Sequence, residues 1–271
     1  MTAALPELDT ITLRRGASNG AGLRIVLNRP ERMNAWDKQL GADLLAAIEL
    51  AAGDDGVRAV TITGAGRAFS SGADLREGFD AGPGGRPDVG AALRERYHPI
   101  ITGVRRMPKP VLAAVNGPAV GIGCSLALAC DLVLAAESAY FLLAFVNIGL
   151  VPDGGTSVLV PARAGAGRAA EMALLGERVP AALGRAWGLV DRLASDDSFE
   201  EEVDALAERL ATGPTRAYAG AKQQLNAHVY AGLDEQLELE ASQQQELAGS
   251  DDFGEGVMAF LEKRAPRFTG R

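Results

Sequence analysis

The stretch "PKPVLAAVNGPAVGIGCSLALACD", residues 108–131, decides the fold. Its first half, "VLAAVNG" (111–117), is a short apolar run bounded by proline and glycine, which predicts a buried strand. Three glycines follow at 117, 121 and 123, and the chain then takes up small and apolar residues at helical spacing. A strand that turns at glycine into a helix leaves backbone N–H groups with no partner inside the helix. The helix dipole makes that point favourable for negative charge. Only Cys124 and Ser125 supply polar side chains there, so the bare backbone is the chemical feature.

The same pattern recurs to either side. Upstream, "VRAVTITGAG" (57–66) reads as a buried strand ending at glycine, and "RAFSSGADL" (67–75) as a loop expected to enter a helix. "TITLRR" (10–15) and "LRIVLNRP" (23–30) are β-rich runs joined by "GASNGAG" (16–22). "QLGADLLAAIELAAGD" (39–54) has the helical period and a Gly-Asp stop. "DAGPGGRPDVG" (80–90) reads as a surface loop, and "VGAALRERYHPIITGVRRM" (89–107) as a helix ended by "PKP". Downstream, "DLVLAAE" (131–137) is another strand.

Strands alternating with helices predict an α/β fold with ligands gathered where strands end and helices begin. After about residue 149 the chain reads as short helices with a return strand, and from 198 to 268 as almost all helix. The expected organisation is a core over 1–197 and a C-terminal helical region over 198–271.

Composition narrows the function classes. The 271 residues carry a net charge of -8, with no long basic run, so a duplex-binding surface of clustered Lys and Arg is not expected and nucleic acid is excluded as a partner. No run approaches the roughly 18 apolar residues of a membrane span, and no secretory leader is read, so no membrane and a cytoplasmic location are expected. Cys124 and Cys130 read as buried thiols on one helix. His98 and His228 stand alone, and no metal site is expected.

Two motifs fail on context. "GASNG" (16–20) matches the G-x-S-x-G pattern but lies between two β-rich runs, where a hairpin turn fits better than a nucleophile elbow. "GAGRAA" (165–170) follows no convincing strand and reads as a small-residue helix segment, not a dinucleotide fingerprint.

Five segments in order, "LNRPERMNAWD" (27–37), "GAGRAFSSGADL" (64–75), residues 108–131, "IGLVPDGGTS" (148–157) and "EGVMAFLEKRAPRFTG" (255–270), resemble the enoyl-CoA hydratase/isomerase (crotonase) superfamily. The resemblance is nearest to members of the 1,2-epoxyphenylacetyl-CoA isomerase type. It implies a crotonase-like spiral of ββα turns followed by a helical trimerisation region, in homotrimers or hexamers built as dimers of trimers. It implies an acyl-CoA thioester as substrate, with coenzyme A arriving as part of that substrate and no separate cofactor.

Carried over, the thioester oxygen would sit between the backbone N–H groups of Ala73 and Ile122. The family's usual glycine at the second position is isoleucine here, which still supplies the N–H. An enolate formed next to a thioester puts its charge on that oxygen, where fixed dipoles stabilise it without reorganising. The resemblance also carries over Arg32 and Met33 beside the "NA" corner, Ala73 to Leu75, Asp74 included, at the adenine end, and Lys263 near the nucleotide, either of its own or of a neighbouring subunit. Phe145, with Phe141, suggests a partly aromatic acyl lining.

The hydratases of the family use two glutamates, and the matching positions here are Ser125 and Phe145. Neither side chain is an acid or base near neutral pH. Asp153, in "GLVPDGG", is the acid left in that neighbourhood. It reads either as a helix-capping aspartate or, given the resemblance, as a single acid/base whose pKa Phe141, Phe145, Ile148 and Val151 would raise. Asp74 is expected to fix its loop, Asp131 to be structural, and Glu77 to be a second polar group near the site. The expected function is double-bond isomerisation of an acyl-CoA by Asp153. The alternatives are a hydratase with other acid/base groups, or an acyl-CoA-binding protein.

Overall fold

The computed structural model describes residues 5–78, 80–82 and 85–271. Strands β1 (Ile11–Gly16) and β2 (Gly22–Leu27) form an antiparallel hairpin, with "GASNG" at its turn and Ser18 donating to Glu208. From β2 the sheet continues in parallel through β3 (Ala59–Gly64), β4 (Val111–Val115), β6 (Leu132–Ala136) and β9 (Arg192–Ala194). β3 and β4 are buried along their whole length, as strands covered on both faces must be.

A smaller sheet lies beside the first. β5 (Ala119–Val120) pairs in parallel with β7 (Tyr140–Leu142), which pairs antiparallel with β8 (Val179–Pro180). Single bridges extend it, Ser70 to Ala119 and Trp36 to Ala73. Each turn of the spiral therefore sends one strand to the large sheet and a shorter one to the small sheet.

Helices fill the space between. α1 (Lys38–Gly53) starts at Asp37, whose carboxylate accepts from the Leu40 amide. α2 (Val89–Ala92), a π turn (Leu93–Tyr97) and α3 (His98–Arg106) run on from one another. α4 (Ile122–Ala129) is buried on every side, which explains why its sequence is small and apolar all round. α5 (Thr156–Leu175) contains "GAGRAA" and breaks at Gly165; α6 (Ala181–Trp187) leads into β9. α7 (Phe199–Thr212) packs on β1, β2 and β3. α8 (Thr215–Val229), α9 (Leu233–Leu247) and α10 (Asp251–Glu262) complete the chain, and α9 packs against α2 and α5.

One expected element is absent. After "SSGADL" the chain makes only a hydrogen-bonded turn at 75–77, Glu77 N donating to Asp74 O, instead of entering a helix. The expected loop over 80–90 falls partly outside the described residues, at 83 and 84. No helix among the described residues is long and apolar enough to cross a membrane.

Candidate active site

A cavity of about 650 Å³ opens where the two glycine turns meet. Its wall includes Ala73, Ile122 and Asp153, together with Arg32, Met33, Asp74, Leu75 and Phe145. Lys263 is not on that wall: it caps α10 in a left-handed conformation and faces solvent, while the next residue, Arg264, lines the cavity.

The two turns are locked together by main-chain pairing. Ser70 N donates to Pro118 O and Val120 N to Ser70 O, at 3.0 and 2.9 Å. Trp36 N donates to Gly72 O and Asp74 N to Trp36 O, so the Ala73 N–H points away from that pairing and has no acceptor among the described residues. Gly72 holds the approach: its φ is +90°, and a Cβ there would lie 2.9 Å from Val120 O.

The second amide is at a true helix start. Gly121 adopts φ 53° and caps α4, and Ile122 is the first helical residue. The left-handed angle thus falls on glycine and not on the β-branched residue, so isoleucine is accommodated without backbone strain. The Ile122 N–H, like that of Ala73, meets no acceptor among the described residues. Only this amide gains from a helix dipole, because the Ala73 turn leads into no helix.

Asp153 sits in a turn made by Gly154 (φ +64°) and Gly155 (φ +80°), just ahead of α5. Its carbonyl accepts from the hydroxyls of Ser125 and Thr156, each at 2.9 Å. Its carboxyl does not cap the helix. Oδ1 is buried without a partner among the described residues, and Oδ2 accepts from Gln244 Nε2 at 3.2 Å. Burial drives its pKa well above the ordinary carboxylate range, and the neighbouring Glu240 adds to the rise.

Glu240 does the capping instead. It accepts from Gly155 N at 2.8 Å and Ser157 N at 3.1 Å, reaching across from α9. Among the described residues, two other carboxylates touch the cavity. Asp74 is paired with Arg29 at 3.4 Å, and Glu31 is exposed.

Several side chains differ from expectation. Ser125 is fully buried and bonded to main-chain oxygens of Gly121 and Asp153, so it joins α4 to the Asp153 turn and is not on the cavity wall. Phe141 lies in the core at 0% exposure, and the aromatic wall is Tyr97, Tyr140, Phe145 and Phe260. Val151 contributes a carbonyl to Gln244, not a wall surface. Glu77 lies off the main cavity and accepts from Lys38 N. Asp131 is structural as expected, receiving Arg105, Lys222 and the Val111 amide. Both cysteines are free and buried, their thiols pushed up to about 12 by burial.

Tyr97, Glu240 and Gln244 went unread in the sequence. Tyr97 is brought to the cavity by the π turn, which also presents Leu93 there, and its ring meets Trp36 edge-on at 5.4 Å. Glu240 and Gln244 had a usable signal. They share the inward face of α9 with Leu233, Leu237 and Ala241, so two polar residues stand in apolar phase.

The sequence profile described as Enoyl-CoA hydratase/isomerase matches residues 18–271. The chain belongs to the enoyl-CoA hydratase/isomerase family. It is 40% identical over 249 residues to the 1,2-epoxyphenylacetyl-CoA isomerase of Escherichia coli, covering 92% of this chain and 95% of that protein. It is 45% identical over 260 residues to a probable enoyl-CoA hydratase of Rhodobacter capsulatus, covering 96% and 98%. The crystal structure of an enoyl-CoA hydratase from Mycobacterium avium subsp. paratuberculosis superimposes with a TM-score of 0.87 at 41% identity, covering 97% of this chain and all of that one. The enoyl-CoA hydratase/isomerase family thus accounts for the spiral of strands and helices.

Proposed function

We propose that the protein is an acyl-CoA thioester isomerase in which Asp153 alone moves the proton. One observation carries this reading: a single buried carboxyl stands on the wall of a cavity that also holds two amides with no partner among the described residues. The family resemblance supports it, since it puts Ser125 and Phe145 where a hydratase has its two glutamates.

The thioester oxygen accepts from Ala73 N and Ile122 N. Ionised Asp153 removes a proton from C2 of a 3-enoyl thioester. The C–H electron pair flows into a dienolate whose charge gathers on that oxygen. Protonated Asp153 then returns the proton at C4, leaving the 2-enoyl thioester. Atoms and charge balance with no water consumed, which is why one carboxyl suffices. A raised pKa brings Asp153 toward the working pH for both halves of the transfer.

Arg32, Arg67, Arg76 and Arg264 line the same cavity in a chain of net charge -8, and this concentration of cations suits the phosphates of coenzyme A. Asp74, held by Arg29, and the Met33–Leu75 side of the wall take the nucleotide end. The acyl group lies among Val89, Leu93, Tyr97, Phe145 and Phe260, a wall suited to an aliphatic or ring-bearing chain. A homotrimer or a hexamer is part of the proposal, with Leu225, Val229 and Leu239 of α8 and α9 exposed for subunit contact.

The hydratase reading is kept as the second, because a relative at 45% identity bears that name. Two assays separate them. The isomerase reading expects conversion of 3-enoyl-CoA to 2-enoyl-CoA and little loss of the crotonyl-CoA absorbance. Rapid hydration of crotonyl-CoA with no isomerisation contradicts it.

A further inference from the structure

Gln244 is placed by two hydrogen bonds that fix which way its amide faces. Nε2 lies 2.5 Å from the Val151 carbonyl oxygen, a group that can only accept. The amide nitrogen must therefore be the atom on that side, and its second N–H reaches Asp153 Oδ2 at 3.2 Å. Gln244 is itself fully buried, lies on the cavity wall, and leaves Oε1 without a partner among the described residues.

Such a residue is costly on packing grounds alone, since a buried amide oxygen with no partner forfeits its hydration without return. Glu240, one helical turn earlier on the same face of α9, relieves Asp153 of helix capping by accepting the Gly155 and Ser157 amides. α9 thus presents two side chains to the Asp153 turn, one freeing the carboxyl and one gripping a single oxygen of it.

We infer that Gln244 is a positioning residue for the proton transfer, holding Asp153 Oδ2 so that the unpartnered Oδ1 is the oxygen that exchanges the proton with substrate. The inference rests on Asp153 being the acid/base. The donor also stabilises the ionised carboxyl against burial, so it limits how far the acid rises. The titratable groups that act on Asp153 are Glu240 from α9 and Tyr97 from the π turn, and the next helix after α9, α10, is followed by Arg264, which is paired with Glu255 and Glu262. α4 faces it with Ser125 and Ile122.

The test is Gln244→Met, which keeps length and removes the donor. The acidic limb of the kcat/KM profile for 3-enoyl-CoA isomerisation should move up by roughly one pH unit, with kcat falling about tenfold or more and KM nearly unchanged. Gln244→Asn, which cannot span to both acceptors, should move the limb the same way and serves if the first variant does not fold. An unmoved limb overturns the inference, whether kcat is unchanged or falls together with thermal stability. Asp153→Asn run in parallel separates the levels. If it is inactive while the Gln244 variants keep the native pH profile, only the role of Gln244 fails; if it stays active, the assignment of Asp153 fails with it.

Discussion

Glu240 accepts the Gly155 and Ser157 amides that Asp153, at the same helix start, leaves untouched. An aspartate at a helix start ordinarily spends its carboxylate on those amides; here glycine, Gly155, holds the cap position two residues after Asp153. Here a glutamate from α9, more than eighty residues on, takes them, and the aspartate is left buried with a free oxygen beside a cavity. The acid is available for chemistry because another acid has taken its structural task.

The first consequence is a pH dependence. The base form of Asp153 starts the transfer, so activity should rise with pH through the raised pKa, and the acidic limb should lie well above the ordinary value of 3.8. Glu240→Gln removes a neighbouring negative charge and should move that limb down, opposite to Gln244→Met. Measuring kcat/KM from pH 4 to 9 checks both directions; a limb near 4 in the native protein contradicts the burial argument.

Stability should show the same strain with its own sign. Asp153 holds its proton more tightly folded than unfolded, so its contribution is full below the unfolded value of 3.8 and is lost as pH rises through the folded one. Asp153→Asn cannot ionise and can still accept from Gln244. It should therefore melt higher than the native protein at neutral pH, with the difference shrinking toward pH 3.5. Equal melting temperatures at pH 7.5 would contradict a raised pKa for the folded carboxyl.

His98 works the other way. Burial pushes its pKa down to about 4, and its Nε2 has no partner among the described residues. The unfolded chain binds that proton more readily, so stability is lost as pH falls from about 6.5 toward 4. His98→Leu should flatten this loss, read as the change in urea midpoint between pH 7.5 and pH 5. An equally steep loss in the variant would assign the acid sensitivity elsewhere.

Gly72 tests the meeting of the two turns. Gly72→Ala meets both an unfavourable φ of +90° and a Cβ 2.9 Å from Val120 O. The strain should cost about 1–3 kcal/mol, and separating the Ala73 and Ile122 amides should lower kcat by roughly a hundredfold or more. Thermal melts and steady-state kinetics report the two effects. A variant with native kcat would show that the turns need not touch.

The strands, the α4 start and the change to helices after 198 were legible because buried strands and glycine turns write themselves locally. Asp153 was legible as the acid left beside the site. The missing helix after 75 was not, because Asp74 and Leu75 resemble a helix start while the Asp74 amide is spent on Trp36 O and the Asp74 carbonyl on the Glu77 amide of a single turn. Gln244 stands in a run of three glutamines, 243–245, and only the phase of α9 shows that the middle one is buried. Tyr97 depends on an extra residue in one turn, a shift of register that composition does not encode. At the end of α10 the left-handed Lys263 faces solvent and the next residue, Arg264, lines the wall, a distinction that the sequence does not carry.

The most direct measurement is the turnover of 3-enoyl-CoA by Asp153→Asn, with acyl-CoA affinity measured alongside. With the amides and the cavity intact, affinity should stay within a few-fold of native, while kcat falls by roughly a hundred- to ten-thousand-fold. Isomerisation at a near-native rate by that variant would contradict the account, because no other buried carboxyl among the described residues reaches the cavity.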